Sequence, residues 1–291
     1  MKTLIRNTLT GLLAGSVGMA MAAEVTVGGK NFTEQLLISE MTSQMLEAKG
    51  HEVNRAEGMG TTVVRSAMEN GQVDIYWEYT GTSLVTFNKI TERLDAQETY
   101  NRVKMLDAEK GIVWLNASAA NNTYALAVRS ADDKGLSTLS ELAAAYNNDQ
   151  SLKMGVNAEF PKRADGLLGL QDQYGFKAGR ANMAPMQSGL IYQALRDGDV
   201  DVGLVFATDG RIAAFDFKVL EDDQGFFPNY ALTPVIRDEV LAANPDIGDS
   251  LNALSGLLND SVMQSLNGQV AVDKKDISDV AREFLSSNGL I

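Results

Sequence analysis

Tyr79, Tyr124, Phe206 and Tyr230 are the residues whose placement points to chemistry, and that chemistry is recognition of a cation by aromatic ring faces. Tyr79 and Phe206 come from one pattern written twice, as GQVDIYWEYTGT from Gly71 to Thr82 and as GDVDVGLVFATDG from Gly198 to Gly210. In each copy Val and Asp follow the glycine at two and three residues, an apolar run comes next, and the aromatic stands eight positions after the glycine. A glycine that closes a helix, followed by a short β-branched run, predicts helix, turn, strand. Both rings should then stand just past the carboxyl end of a parallel strand, where open α/β sheets bind their ligands. Tyr124 and Tyr230 stand at the edges of two further strands that the pattern makes crossings between halves of the chain. A quaternary ammonium donates no hydrogen bond, so a box of ring faces suits it, each worth about 1–2 kcal/mol when desolvated. Lys30 or Arg163 could hold a carboxylate on the same ligand. Core packing is the competing explanation for each ring, and stability decides between them. Alanine at Tyr124 or Tyr230 should leave folding nearly unchanged if the rings line a cleft, and cost roughly 3–5 kcal/mol if they are core.

Catalysis lacks its parts. The sole histidine, His51, follows the helix-ending Gly50 and reads as a solvated turn residue, and no GxSxG, HExxH or P-loop occurs. Asp197, Asp199 and Asp201 imitate the start of a calcium loop, but Val202 stands where glycine is required and Thr208 where the bidentate acid belongs. The chain has no cysteine, which removes thiol catalysis, thiolate metal sites and a lipid-attached cysteine. No cofactor is implied. A hydrolase using carboxylates alone stays open, although nothing pairs two of its many acids.

The elements that must hold these residues alternate β and α. A strand at Val25–Val27 runs into Gly28-Gly29, Lys30 and Asn31 form a loop, and Leu37, Met41 and Met45 share one face of a helix from Thr33 to Lys49-Gly50. A strand near Glu52–Arg55 leads to Gly58-Met59-Gly60-Thr61-Thr62; this lacks the third glycine of a dinucleotide fingerprint, and its hydroxyls read as helix N-caps. A helix around 97–110, a strand at Ile112–Leu115 and a crossing strand at Ala125–Arg129 follow. The alternation then restarts, with a helix near Leu136–Ser140, a strand at Leu152–Val156, a loop at Phe160–Arg163, a helix ending at Gly175, the helix Ser188–Leu195 and a strand at Lys218–Leu220. Ala231–Ile236 reads as the return crossing, and the rest of the chain as amphipathic helices packing on the first lobe. Such alternation means a largely parallel α/β protein. The expected division is 24–127 plus 231–291 for lobe 1 and 128–230 for lobe 2.

The 291 residues carry 25 Lys and Arg against 38 Asp and Glu, net −13. Residues 1–23 read as a signal peptide: Lys2 and Arg6 open it, an apolar run follows, and small residues allow cleavage after Ala22 or Ala23. Its removal leaves 23 basic residues and a net charge near −15. Such a surface repels nucleic acid and anionic lipid. No later segment is apolar enough to span a bilayer. An exported, periplasmic monomer without a membrane anchor is expected.

Five stretches carry a resemblance: GGKNFTEQ (Gly28–Gln35), DIYWEYTGT (Asp74–Thr82), NNTYALAVR (Asn121–Arg129), FATDGRI (Phe206–Ile212) and GFFPNYALTPVIR (Gly225–Arg237). In this order, and over nearly the whole exported chain, they resemble the substrate-binding proteins of osmoprotectant ABC importers, which bind glycine betaine, choline and related compounds. The resemblance implies the two-lobed periplasmic binding-protein fold of type II, each lobe a mainly parallel sheet flanked by helices, with the ligand in the cleft. It implies an aromatic cage of Tyr79, Tyr124, Phe206 and Tyr230, with Phe206 departing from the family's usual tyrosine. It also implies polar contacts from Lys30, Thr62, Thr82, Asn122 and Arg163, and partners in a permease and its ATPase. A receptor for another small solute such as an amino acid is the alternative within transport.

Overall fold

The computed structural model describes residues 23–148 and 151–291. The expected leader lies, apart from Ala23, outside the described residues. Two five-stranded sheets organise the rest. The first contains β1 (Glu24–Lys30), β2 (Glu52–Met59), β3 (Ile75–Tyr79), β4 (Ile112–Trp114) and β10 (Leu232–Arg237), in the order β2-β1-β3-β10-β4. The second contains β5 (Tyr124–Arg129), β6 (Met154–Val156), β7 (Met183–Pro185), β8 (Val202–Phe206) and β9 (Phe217–Val219), in the order β7-β6-β8-β5-β9.

The two orders are the same arrangement made twice. In each sheet the three strands at one end run parallel and the fourth runs antiparallel to both its neighbours. The sheets are therefore mixed, with one reversed strand apiece. The reversal follows from the chain path, since β10 returns from the second sheet and β5 enters it from the first. Neither is itself a crossing, as the sequence reading has it. All of β5 pairs inside the second sheet, from Tyr124 opposite Phe206 to Arg129 opposite Phe217, so residues 124–127 join the second sheet rather than the first. The crossings are the short segments just before each strand. They lie side by side, bridged at Asn121 and Ala231, with the Asn122 amide donating to the Tyr230 carbonyl.

The helices bury apolar faces on these sheets, which is the main driving force for the fold. Leu37, Ile38, Met41 and Met45 of the helix Thr33–Ala48 are fully buried. The C-terminal helices Pro245–Ser255, Asp260–Ala271 and Ile277–Ser287 pack on that helix, as expected. One of them also reaches the second lobe. Gly210 sits so close to the helix Asp260–Ala271 that an added Cβ would lie 2.5 Å from the Gln264 carbonyl oxygen, and the Gln264 side chain donates to the Ala207 carbonyl. Among the described residues no helix is long and apolar enough to cross a membrane.

His51 is corrected by the fold. It is buried, with Nδ1 accepting from the Ala23 amide and Nε2 2.9 Å from Asp246 Oδ2. It ties the start of β1 to a C-terminal helix, a long-range contact invisible in its local sequence.

Candidate functional site

The carboxyl ends of the strands meet across a cavity of about 460 Å³ between the sheets. Tyr79 is the last residue of β3 and Phe206 the last of β8, so the repeated pattern delivers both rings to strand ends facing the same space. Tyr124 opens β5 opposite Phe206, and Tyr230 lies in the crossing before β10. Eight of the nine residues singled out from sequence line this cavity: Lys30, Tyr79, Thr82, Asn122, Tyr124, Arg163, Phe206 and Tyr230. The ninth does not. Thr62 points to solvent as the second residue of the helix Thr61–Glu69, and Thr61 lines the cavity in its place. Neither hydroxyl caps that helix, as had been expected. Its N-cap is Gly60, and the Thr61 amide donates across the cleft to Glu159 Oε1 at 3.0 Å.

The rings form one cluster. Tyr124 sits at its centre, with ring centroids 5.4 Å from Phe206 and 5.6 Å from Tyr230. Phe32, which the sequence reading passed over although it lies inside GGKNFTEQ, completes the wall by stacking 5.3 Å from Phe206 and 6.3 Å from Tyr79. Phe32 and Phe206 are half-buried, whereas Tyr79, Tyr124 and Tyr230 are almost wholly enclosed. Burial raises the Tyr124 phenol to about 12, and burial pushes Tyr79 and Tyr230 well above the usual phenol range, Glu34 and Asp165 respectively adding to the effect. All three stay neutral hydroxyls at physiological pH, with the Tyr79 hydroxyl donating to Glu34 and the Tyr230 hydroxyl to Asp165.

Two buried cations stand against these rings, Lys30 over Tyr79 and Arg163 over Tyr124, the latter 5.4 Å from the ring centre. Lys30, which ends β1 rather than lying in a loop, donates from Nζ to Glu78 Oε1 at 2.5 Å and stands 4.7 Å from the centre of the Tyr79 ring. Burial lowers its pKa and Glu78 opposes the shift. Arg163 donates to both oxygens of Asp165, at 2.8 and 2.5 Å, and to Thr82 Oγ1 at 3.3 Å. A buried cation needs such a partner. Lys30, Arg163 and Thr82 thus bring three polar groups together, able to take a carboxylate, beside rings able to take a cation. Tyr230 joins the rings to the Arg163–Asp165 pair, its hydroxyl donating to Asp165 Oδ2 at 2.9 Å. Gly81 is required beside it, since an added Cβ would lie 2.9 Å from the Tyr230 ring. Among the described residues no cluster of three or more His, Cys, Asp or Glu side chains could hold a metal ion.

Residues 23–287 match the family described as the substrate-binding domain of the ABC-type glycine betaine transport system. The chain belongs to this family. A glycine-betaine-binding protein of Pseudomonas aeruginosa is 39% identical over 302 residues, covering 100% of this chain and 96% of the relative. The glycine betaine-binding protein YehZ of Escherichia coli is 34% identical over 294 residues, covering 97% and 96%. Among solved structures, a glycine betaine/carnitine/choline ABC transporter protein superposes with a TM-score of 0.73 at 31% identity, over 91% of this chain and 99% of its own. The two mixed sheets flanked by helices are the fold this chain shares with that structure.

The sequence reading missed Phe32, Thr61 and Glu159, and also Asn157, Met186, Gln187 and Ser188, which line the second lobe's side of the cavity. These last four flank β6 and β7, and β7 is a three-residue strand too short to leave a period in the sequence.

Proposed function

We propose that this protein is the periplasmic solute receptor of an ABC importer, which closes its lobes around a small quaternary ammonium such as glycine betaine or choline and delivers it to the permease. The observation that carries the reading is one cavity lined both by clustered aromatic rings and by Lys30, Arg163 and Thr82. The trimethylammonium group packs among Tyr79, Tyr124, Phe206, Tyr230 and Phe32, and a ligand carboxylate meets Lys30, Arg163 and Thr82, with Asn122 and Thr61 on the wall. Contacts from both lobes form fully only on closure, so the ligand shifts an open-closed equilibrium that a permease can read. The protein leaves its ligand chemically unchanged and needs no cofactor. It works as a monomer, exported by a leader cleaved after Ala22 or Ala23, which mass spectrometry of the periplasmic protein checks.

The printed names of the Pseudomonas aeruginosa and Escherichia coli relatives support this class of ligand. Calorimetric titration with glycine betaine, choline, carnitine and an amino acid such as proline tests it. Saturable binding of at least one quaternary ammonium, with proline inert, is the expected result. Binding of the amino acid alone refutes the cage.

A further inference from the structure

Behind the cage lies a buried carboxylate that, among the described residues, no cation pairs with. Glu34 is the second residue of the sixteen-residue helix Thr33–Ala48 and is 3% exposed. Four side chains from four parts of the chain aim at it. Tyr79 Oη and Asn122 Nδ2 each donate to Oε1 at 2.8 Å, and Thr208 Oγ1 and Asn267 Nδ2 donate to Oε2 at 2.5 and 3.1 Å. The direction of two of these bonds is set by other contacts. Gln35 Nε2 donates to the Tyr79 oxygen, which turns the phenol proton toward Glu34, and Asn267 Nδ2 also donates to the Thr208 carbonyl. The amide oxygens of Asn122 and Asn267 are left buried without a partner. A site that presents donors on every side, and orphans two acceptors to do so, is built for an ionised carboxylate. The helix N-terminus favours the same state.

The balance of charge around the cavity makes this group distinctive. Lys30 is matched by Glu78, Arg163 by Asp165 and Arg211 by Asp209, each within hydrogen-bonding distance. Glu34 accepts only from neutral donors among the described residues, and the like charge of Asp209 acts against its ionisation. Burial raises the Glu34 carboxyl above the usual carboxylate range, and the bonds from Thr208, Tyr79 and Asn267 offset part of that rise. An isolated carboxylate in such a place is costly unless something compensates it. Two of its donors, Tyr79 and Asn122, are themselves cavity wall, so the charge lies one side chain away from the space the rings enclose.

We propose that Glu34 is the counter-charge of the cage: its ionised carboxylate attracts the cation directly through the low-dielectric wall, and through Tyr79, whose phenol, by donating to it, makes the ring face more electron-rich. This rests on the quaternary-ammonium reading above. It assigns Glu34 a positioning and specificity role, since the residue touches the wall and not the ligand.

The experiment compares choline with its neutral carbon isostere, which carries a tert-butyl group in place of the trimethylammonium. The ratio of their dissociation constants is measured by calorimetric competition for wild type, Glu34→Gln and Tyr79→Phe. A purely structural role for Glu34 weakens both ligands together and leaves the ratio unchanged. The counter-charge role lowers the preference for choline about tenfold or more in Glu34→Gln and about threefold in Tyr79→Phe, which keeps the ring but cuts its bond to the carboxylate. An unchanged ratio in Glu34→Gln, or in Tyr79→Phe should the glutamine variant not fold, overturns the proposal. A folded wild type that binds no quaternary ammonium refutes the cage reading instead, and this inference falls with it.

Discussion

Phe206→Leu isolates the ring face from the space it fills. Phe206 ends β8 with its amide donating to the Tyr192 hydroxyl at 2.9 Å, so the backbone is anchored independently of the side chain. The ring is half-buried, stacked on Phe32 at 5.3 Å with 2° between planes and tilted 37° to Tyr124 at 5.4 Å. Leucine keeps most of the apolar volume, so the cavity wall does not collapse. What it removes is one cation-facing surface, about 1–2 kcal/mol in a desolvated cage, or roughly a five- to thirtyfold rise in Kd for choline. The two ring pairs are lost as well, at about 0.5–1.5 kcal/mol each before leucine's own contacts offset them. Stability should therefore fall by about 1 kcal/mol, with the midpoint of thermal unfolding a few degrees lower. Calorimetry with choline and glycine betaine, beside an unfolding scan, reads both effects. Phe206→Tyr, which adds a hydroxyl to the ring, should keep choline affinity within about threefold and tighten a carboxylate-bearing betaine more, provided its hydroxyl reaches the ligand. If folded Phe206→Leu binds choline as tightly as wild type, Phe206 is no part of a cage, and the inference from the twofold pattern fails with it.

Glu159→Ala removes the only carboxylate on the Thr61 amide, a cross-cleft cap on a helix that has no side-chain cap of its own. With solvent screening at the cleft mouth this is worth about 1 kcal/mol, so affinity should drop roughly fivefold and small-angle scattering should show a less closed bound state; unchanged scattering and affinity would count against the latch. Tyr230 is core and cavity wall at once, so stability does not separate the two roles as the sequence reading expects: Tyr230→Ala should abolish measurable binding and also cost roughly 3–5 kcal/mol, since the ring is 2% exposed, bonded to Asp165 and packed on Gly81 and Tyr124. Denaturant unfolding decides it, and a stability within 1 kcal/mol of wild type, on the scale of a net hydrogen bond, would refute the packing argument. Asp107 is held down to about 2 against burial by Arg65, Ser83 and Asn88, whereas its ordinary value is 3.8. Because its folded value is depressed, its contribution of about 2 kcal/mol is complete above about pH 5 and is lost as the pH falls toward 2. Asp107→Asn should flatten that acid limb of the stability curve while weakening the protein at neutral pH.

Much of this architecture is local and so was open to reading from the sequence. The β-α alternation rests on short apolar runs and helix-closing glycines, and the placement of Tyr79 and Phe206 rests on a spacing within a single strand and turn. Those signals need no knowledge of which strands pair. What the tertiary structure alone decided is non-local. The reversal of β5 and β10 follows from the chain passing between lobes, and no period within either strand encodes it. Thr61 lines the cavity where Thr62 was expected because one residue turns a helical side chain by about 100°, and only the docking of the helix fixes which faces the cleft. Glu159 caps that helix from 98 residues away in sequence. Glu34 reads as an ordinary first-turn acid until Asn122, Thr208 and Asn267, remote in sequence, close around it. His51 looked like a solvated turn for the same reason, its partner Asp246 being 195 residues on. Local propensity places the rings at strand ends; long-range packing sets the charges behind them.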